Sequence, residues 1–225
     1  MGQKDAPIKL RKVSAVLFDA SGTLINDVYA VWQANAGTLK WLGSNETLTF
    51  QRFKEKTRTP YWKFYGYFGI PEKKAKNEAV PKFKQIYDSL IETIALMRDT
   101  KSVLEQLKGK NIKIAVVTHG PRQSIENVFK KFGVMQFIDV IIGLEDCDEQ
   151  KPSPKPLLTA LSQLNVLPPE AIYVGDMCED IQAGQKAGIT TFAYCGAGGY
   201  TLEERLRKAR PNHVIHDLSE LFFYV

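Results

Sequence analysis

The chain has 225 residues, of which 44% are hydrophobic and 24% are charged, and its formal net charge is +5 at pH 7. This composition is typical of a globular protein with one large domain, or with a core and an insertion, and excludes a disordered or fibrous chain. No apolar stretch approaches the roughly 20 residues of a membrane-spanning helix, and the N-terminal segment MGQKDAPIKLRK lacks the apolar region of a signal peptide. The three cysteines form no Cys-x-x-Cys pair, which indicates reduced thiols and a cytoplasmic protein.

The first predicted element is a strand over the apolar run 15–18, which is followed directly by Asp19. A short apolar run between charged and turn residues is typical of a strand that is buried on both faces of a parallel sheet. The residues after Asp19 are small and leave room for a ligand beside the carboxylate. Because ligands bind at the carboxyl ends of such strands, Asp19 is a candidate site residue.

From about residue 27 to residue 96 there is no strand signal, and apolar residues recur at helical spacing. We predict an all-helical insertion whose aromatic residues form its own core. Its predicted helices cover 29–41, a segment with Ser44 or Asn45 as its N-cap, a segment that begins at Pro71, and a segment that begins at Pro81 and runs to residue 96.

The positive charge is concentrated in this insertion. Between residues 45 and 90, ten Lys and Arg residues stand against five acidic residues, an excess equal to that of the whole chain. Such a patch attracts an anionic small molecule or contacts nucleic acid. The alternative is a solvated helical surface without a binding role.

From residue 98 onward, helices and strands alternate. This alternation predicts right-handed parallel crossovers, and therefore an α/β fold with a doubly wound, Rossmann-like parallel sheet and an inserted all-helical cap. The predicted core domain comprises 1–26 and 97–225, and the predicted cap comprises 27–96. The predicted strands after the insertion are 112–117, 140–142, 171–174, 191–194 and 214–215.

Polar residues stand at the ends of these strands. Asp19 follows the first strand, Thr118 and Asp176 follow two others, Lys151 lies in a loop after another, and Asp180 is four residues beyond Asp176. Carboxylates from separate strand ends form an oxygen-ligand site that suits Mg²⁺. A threonine at a helix N-terminus and a lysine bind phosphoryl oxygens.

Four segments in this order resemble the motifs of the haloacid dehalogenase superfamily of hydrolases. They are FDASGTL, VVTHG, KPSPKPL and VGDMCEDIQAGQKAG. The resemblance covers essentially the whole chain and is to the phosphoglycolate phosphatase-like branch, which has an α-helical cap after the first motif.

The resemblance implies a Mg²⁺-dependent phosphatase in which Asp19 is the nucleophile and forms an aspartyl-phosphate. Thr118 and Lys151 would then bind the phosphoryl oxygens, and the cap would close over the site and select the substrate. The implied Mg²⁺ ligands are Asp19, the Ser21 backbone carbonyl, Asp176 and Asp180. The expected partner is a small phosphorylated metabolite, without nucleic acid or membrane, and the expected state is a monomer or homodimer.

Ser21 departs from the family pattern, in which an Asp at this position acts as general acid/base. A hydroxyl does not do this work near pH 7, and positioned proton transfer contributes about 10²–10⁴-fold to the rate. The first hypothesis is a phosphatase that is slow, acts on good leaving groups, or uses His119 beside the phosphate site as a substitute donor.

Two alternatives to a phosphatase stay open. In the first, the protein resembles phosphonatases, which cleave C–P bonds with a cap lysine as a Schiff base, and Lys54, Lys56 and Lys63 lie in the corresponding region. In the second, the protein retains the pocket for binding a phosphate ligand without catalysis.

Overall fold

The computed structural model describes residues 12–225. Residues 1–11, which begin the predicted core domain, lie outside the described residues. The strands are β1 (Ala15–Phe18), β2 (Ile25–Asn26), β3 (Ala95–Leu96), β4 (Lys113–Val117), β5 (Val140–Ile142), β6 (Ala171–Gly175), β7 (Thr190–Tyr194) and β8 (His213–Ile215). The α-helices are α1 (Val28–Trp41), α2 (Phe50–Lys56), α3 (Trp62–Gly66), α4 (Glu72–Lys74), α5 (Val80–Ser89), α6 (Thr100–Gly109), α7 (Arg122–Lys131), α8 (Lys155–Leu164), α9 (Cys178–Ala187) and α10 (Glu203–Lys208).

Six strands form one parallel sheet in the order β5-β4-β1-β6-β7-β8. β1 lies near the centre, with Leu17 in register with Ala115 of β4 on one side and with Tyr173 of β6 on the other. All four residues of β1 are fully buried, because helices cover both faces of the sheet. Val16 and Phe18 face the cluster that includes α6 and α7, whereas the alternate residues of β1 face α8 and α9.

The helices α1–α5 lie between β2 and β3, and we call them the cap. β2 and β3 pair antiparallel, with Ile25 opposite Leu96, so the chain leaves and re-enters the core at one place. Buried aromatic residues, including Phe53, Phe64 and Tyr65, form the centre of the cap. The predicted α/β fold with an all-helical insertion is confirmed, while the division at residues 26/27 and 96/97 stays a prediction.

Three details of the cap differ from the prediction. The N-cap of α2 is Thr49, whose Oγ1 accepts the Arg52 N–H at 3.1 Å, and not Ser44 or Asn45. Pro81 lies in the first turn of α5, as predicted, but α5 does not follow a loop, because α4 continues into it through the π-helical segment Ala75–Ala79. The helix that is predicted to run to residue 96 ends at Ser89, the last residue of α5. Ala95–Leu96 instead forms β3, which pairs with β2.

In the core domain, helices alternate with strands as predicted. α9 begins at Cys178, so Asp180 lies in its first turn. Among residues 12–225, no helix combines the length and the apolar composition that crossing a membrane requires.

Candidate active site

Asp19 lies at the carboxyl end of β1, where the sheet fixes its main chain. Its N–H donates to the Val174 carbonyl at 2.8 Å, which continues the pairing between β1 and β6. The chain then turns sharply at Gly22, which has φ of +82°. A Cβ at Gly22 would collide with the carboxylate of Asp176, so glycine is required both for the turn and for this close approach.

Lys151 connects the acidic residues of the site. Its side chain is buried, and Nζ contacts Asp19 Oδ1 at 2.6 Å and Asp180 Oδ1 at 2.7 Å. Nζ also donates to the Val117 carbonyl at 3.0 Å and to the Tyr173 hydroxyl at 2.8 Å. Burial alone would lower the pKa of Lys151, but Asp180 and Asp19 raise it above its ordinary value. Lys151 therefore remains an ammonium group.

Asp176 lies at the end of β6 and has no exposed surface. Its Oδ1 accepts the Thr23 hydroxyl at 3.1 Å, and its Oδ2 accepts the Tyr200 main-chain N–H at 2.6 Å. Burial raises the pKa of Asp176 well above its ordinary value, and the nearby carboxylates of Asp19 and Asp180 raise it further. Both carboxylate oxygens of Asp176 are thus held in place by hydrogen bonds. Within residues 12–225, Asp176 forms no ion pair, unlike Asp19 and Asp180, which pair with Lys151.

The three carboxylates fit a divalent metal ion. One oxygen from each of Asp19, Asp176 and Asp180 lies within 4.8 Å of the other two, and all three residues are buried. Three buried carboxylates face one ammonium, Lys151, so the cluster carries excess negative charge when all are ionised. In the protein without metal, burial raises the pKa of Asp19 to about 7. A hard cation with oxygen ligands, such as Mg²⁺, would balance this charge.

The structure also places the remaining predicted site residues. Thr118 is buried at the end of β4, and its Oγ1 accepts the Gly120 N–H at 3.0 Å. Ser21 is partly exposed and lies near Asp27, whose pKa is raised by burial while Ser21 opposes that rise. His119 lies with Nε2 3.1 Å from the Lys151 carbonyl, and burial together with the Lys151 charge lowers its pKa to about 4. His119 is therefore neutral at pH 7.

The three cap lysines differ in their surroundings. Lys54 is half-buried on α2, and burial lowers its pKa while the negative charge of Asp176 opposes that change. Lys56 lies with its ammonium 5.1 Å from the centre of the Tyr67 ring, and Lys63 is exposed. Lys54 is therefore electrostatically coupled to Asp176 of the carboxylate cluster.

Sequence analysis missed several residues around the site. Tyr173 donates its hydroxyl proton to Asp180 Oδ1 at 2.8 Å, but a tyrosine within an apolar strand is indistinguishable from a core residue. Arg205 on α10 donates to the carbonyls of Lys54, Glu55 and Thr57, and so connects the core to the end of α2. The one available signal for Tyr173 was the need of a buried hydroxyl for a polar partner.

Comparison with known proteins gives concordant results. The haloacid dehalogenase-like hydrolase family model matches residues 16–194. Pyrophosphatase PpaX from Bacillus mycoides is 31% identical over 218 residues, covering 93% of this chain and 95% of that protein, and PpaX from Bacillus thuringiensis is 29% identical with the same coverage.

Two solved structures show the same fold. CbbY from Rhodobacter sphaeroides in complex with phosphate has a TM-score of 0.74 at 24% identity, covering 93% of this chain and 96% of that one. A predicted phosphoglycolate phosphatase from Haemophilus somnus has a TM-score of 0.75 at 20% identity, covering 95% and 98%. Since the family model spans most of the sequence and the Bacillus mycoides relative covers nearly all of it, the chain belongs to the haloacid dehalogenase-like hydrolase family.

Proposed function

We propose that the protein is a Mg²⁺-dependent phosphatase that hydrolyses a small phosphorylated metabolite through an aspartyl-phosphate on Asp19. The observation that carries this proposal is the position of Lys151 Nζ, 2.6 Å from Asp19 and 2.7 Å from Asp180 within a cluster of three buried carboxylates. A nucleophilic carboxylate, a fixed ammonium and a set of oxygen ligands are the groups that phosphoryl transfer requires.

The chemistry assigned to Asp19 has two steps. A carboxylate oxygen of Asp19 attacks phosphorus, the bond from phosphorus to the leaving oxygen breaks, and the aspartyl-phosphate forms. Water then attacks phosphorus, the bond from phosphorus to the Asp19 oxygen breaks, and the products are inorganic phosphate, free Asp19 and a proton released to solvent. Lys151 orients the attacking carboxylate and, with Thr118, binds the phosphoryl oxygens.

The proposed metal ligands are the carboxylates of Asp19, Asp176 and Asp180 together with the Ser21 backbone carbonyl. When bound there, Mg²⁺ reduces the repulsion between the Asp19 carboxylate and the phosphate and stabilises the charge of the transition state. Thr23 and the Tyr200 main chain hold Asp176 ready for this role.

The proton donors near the site limit which leaving groups the protein can release. Ser21 has no acidic proton near pH 7, and His119 is neutral there with Nε2 directed at a carbonyl. An alkoxide leaving group needs a proton, whereas phosphate leaves from a phosphoanhydride without one. Since the Bacillus relatives bear the name pyrophosphatase, we propose inorganic pyrophosphate or a related phosphoanhydride as the preferred substrate class.

The cap, which we place at residues 27–96, is assigned the selection of that substrate. Its basic surface attracts anions, and its contacts to the core through Arg205 hold it over the site. We further propose that the protein acts in the cytoplasm on a small molecule, without nucleic acid or membrane, as a monomer or homodimer.

The test is phosphate release in the presence of Mg²⁺, comparing the wild type with Asp19→Asn. The substrates are pyrophosphate, para-nitrophenyl phosphate, phosphoglycolate and phosphonoacetaldehyde. Metal-dependent release from pyrophosphate and the aryl ester, weak release from phosphoglycolate and none from the variant are expected. Equal release by wild type and variant would refute the role of Asp19.

Two different outcomes would replace the proposal. Release from phosphonoacetaldehyde alone, with a borohydride-trapped adduct on a cap lysine, would identify a phosphonatase-like enzyme. Binding of phosphate ligands without any release would identify a non-catalytic binding protein.

A further inference from the structure

A fourth buried acid, Asp27, lies outside the carboxylate cluster at the start of the cap. It precedes α1 and is only 2% exposed. Its Oδ1 accepts the Tyr200 hydroxyl at 2.6 Å, and its Oδ2 accepts the Tyr87 hydroxyl at 2.9 Å. Within residues 12–225 it forms no ion pair. Burial raises the pKa of Asp27, and the hydrogen bonds from Tyr200 and Tyr87 oppose that rise.

Tyr200 contacts three parts of the molecule at once. It belongs to the core loop after β7 and is 5% exposed. Its hydroxyl binds Asp27, its ring lies edge-on to Phe53 of α2 with a centroid distance of 6.1 Å, and its main-chain N–H binds Asp176 Oδ2 at 2.6 Å. One residue therefore connects the start of the cap, a cap helix and a carboxylate of the proposed metal site.

Tyr87 supplies a matched comparison. It lies on α5 and donates to the same acid as Tyr200 does, through the other carboxylate oxygen. Unlike Tyr200, it makes no hydrogen bond to Asp176, whose protein partners are Thr23 and Tyr200. Loss of either hydroxyl removes one hydrogen bond from Asp27. Of the two tyrosines, Tyr200 is the one that also donates a hydrogen bond to the carboxylate cluster, at Asp176.

We infer that Tyr200 is a positioning residue that holds Asp176 in its metal-binding orientation, and that its own position is fixed by the hydrogen bond to Asp27. The inference rests on the proposed role of Asp176 as a metal ligand. A donor to a ligating carboxylate restricts the carboxylate to one orientation, and loss of such partners lowers metal affinity by about 10–100-fold. Tyr200 also contacts the cap through Asp27 and Phe53. Its hydrogen bond to Asp176 therefore makes the orientation of Asp176 depend on the position of the cap.

The test measures Mg²⁺ binding to the full chain by titration calorimetry, with Mn²⁺ as a second probe. Tyr200→Phe keeps the ring and the main-chain N–H but loses the hydroxyl, and we expect its Mg²⁺ affinity to fall by about tenfold. Tyr87→Phe is expected to bind Mg²⁺ with nearly the wild-type affinity. The Mg²⁺ concentration for half-maximal phosphate release should rise in parallel in Tyr200→Phe alone.

Wild-type affinity in Tyr200→Phe, or an equal loss in both tyrosine variants, would overturn the inference. Asp176→Asn separates this failure from that of the proposed function. If Asp176→Asn binds Mg²⁺ like the wild type, the metal assignment itself is wrong; if it loses binding while Tyr200→Phe does not, only the role of Tyr200 is wrong. Should Tyr200→Phe not fold, Asp27→Ala removes the acceptor of the Tyr200 hydroxyl instead. Asp27→Ala is then expected to weaken Mg²⁺ binding, and wild-type affinity there would be equally contrary.

Discussion

In the protein without metal, ionisation of Asp19 is expected to reduce the stability of the fold. Burial raises the pKa of this carboxyl from 3.8 to about 7, although Lys151 acts in the opposite direction. Between these two pH values the folded protein binds the proton and the unfolded chain does not. Stability from this group is therefore complete below about pH 4 and is lost as the pH rises through about 7.

The magnitude follows from the two pKa values. Each pKa unit corresponds to about 1.4 kcal/mol, so the loss through Asp19 is about 4 kcal/mol across this interval. His119 contributes with the opposite sign, because burial and Lys151 lower its pKa from 6.5 to about 4. Its stability contribution is complete above about pH 6.5 and falls by about 3 kcal/mol as the pH drops through about 4. The two effects offset each other in the wild type.

Substitution of Asp19 or His119 separates the two effects on stability. Asp19→Asn is neutral at every pH, and its amide oxygen can still accept from Lys151. We expect its free energy of unfolding, measured with urea in the presence of EDTA, to match that of the wild type near pH 4. Near pH 7.5 the variant should be more stable by about 4 kcal/mol. His119→Gln provides the converse control, with stability that falls more steeply than that of the wild type as the pH rises.

A constant stability difference between Asp19→Asn and the wild type at both ends of the pH range would refute this reasoning. Added Mg²⁺ gives a second check at neutral pH. A ligand at about 1,000 times its Kd stabilises a fold by about 4 kcal/mol. This gain is expected in the wild type and should be much smaller in Asp19→Asn, which lacks one proposed ligand.

Three further predictions concern the residues around the cluster. Ser21→Asp should raise turnover of alkyl phosphates by about 10²-fold or more. The gain should be larger together with Asp27→Asn, because the new acid lies beside Asp27; no gain in the double variant would be contrary. Lys54→Met should raise KM for phosphoglycolate, which has a second anionic group, without changing KM for para-nitrophenyl phosphate. Lys63→Met, at an exposed lysine, is the control; equal effects of the two variants would contradict a specific role of Lys54. Arg205→Ala removes three hydrogen bonds to the end of α2 and should raise KM for all substrates. An unchanged KM would show that the Arg205 hydrogen bonds do not control closure of the cap over the site.

The parallel sheet could be predicted because its strands carry strong local signals. The runs around Ala15–Phe18 and Ala171–Gly175 are apolar and are followed by acids, and the structure brings those acids together at one edge. Lys151 was predicted from its motif, but its position between two carboxylates depends on loop geometry that periodicity does not encode. The sequence could therefore indicate which residues lie at this edge of the sheet but not how they are bonded to one another, and their roles in catalysis and metal binding stay predictions.

Other features depend on contacts between distant segments. β3 has two residues and exists because it pairs with β2, so no local pattern could indicate it. The same is true of Tyr200, which lies 173 residues from its partner Asp27. Thr49 was missed as the N-cap of α2 because Ser44 and Asn45 have the same capping propensity, and the extended segment before α2 decides among them.

The central position of β1 has a consequence for the order in which the protein acquires its structure during synthesis. Its neighbours β4 and β6 pair with Ala15 through residues that are 98 and 156 positions later in the chain (15 to 113 and 15 to 171). The ladder with β4 must therefore wait until residue 117 of 225 has been made, and the ladder with β6 until residue 175. Contacts of such long range slow folding. The whole cap is translated before either partner strand, so Asp19 is among the first residues made and its surroundings are among the last to form.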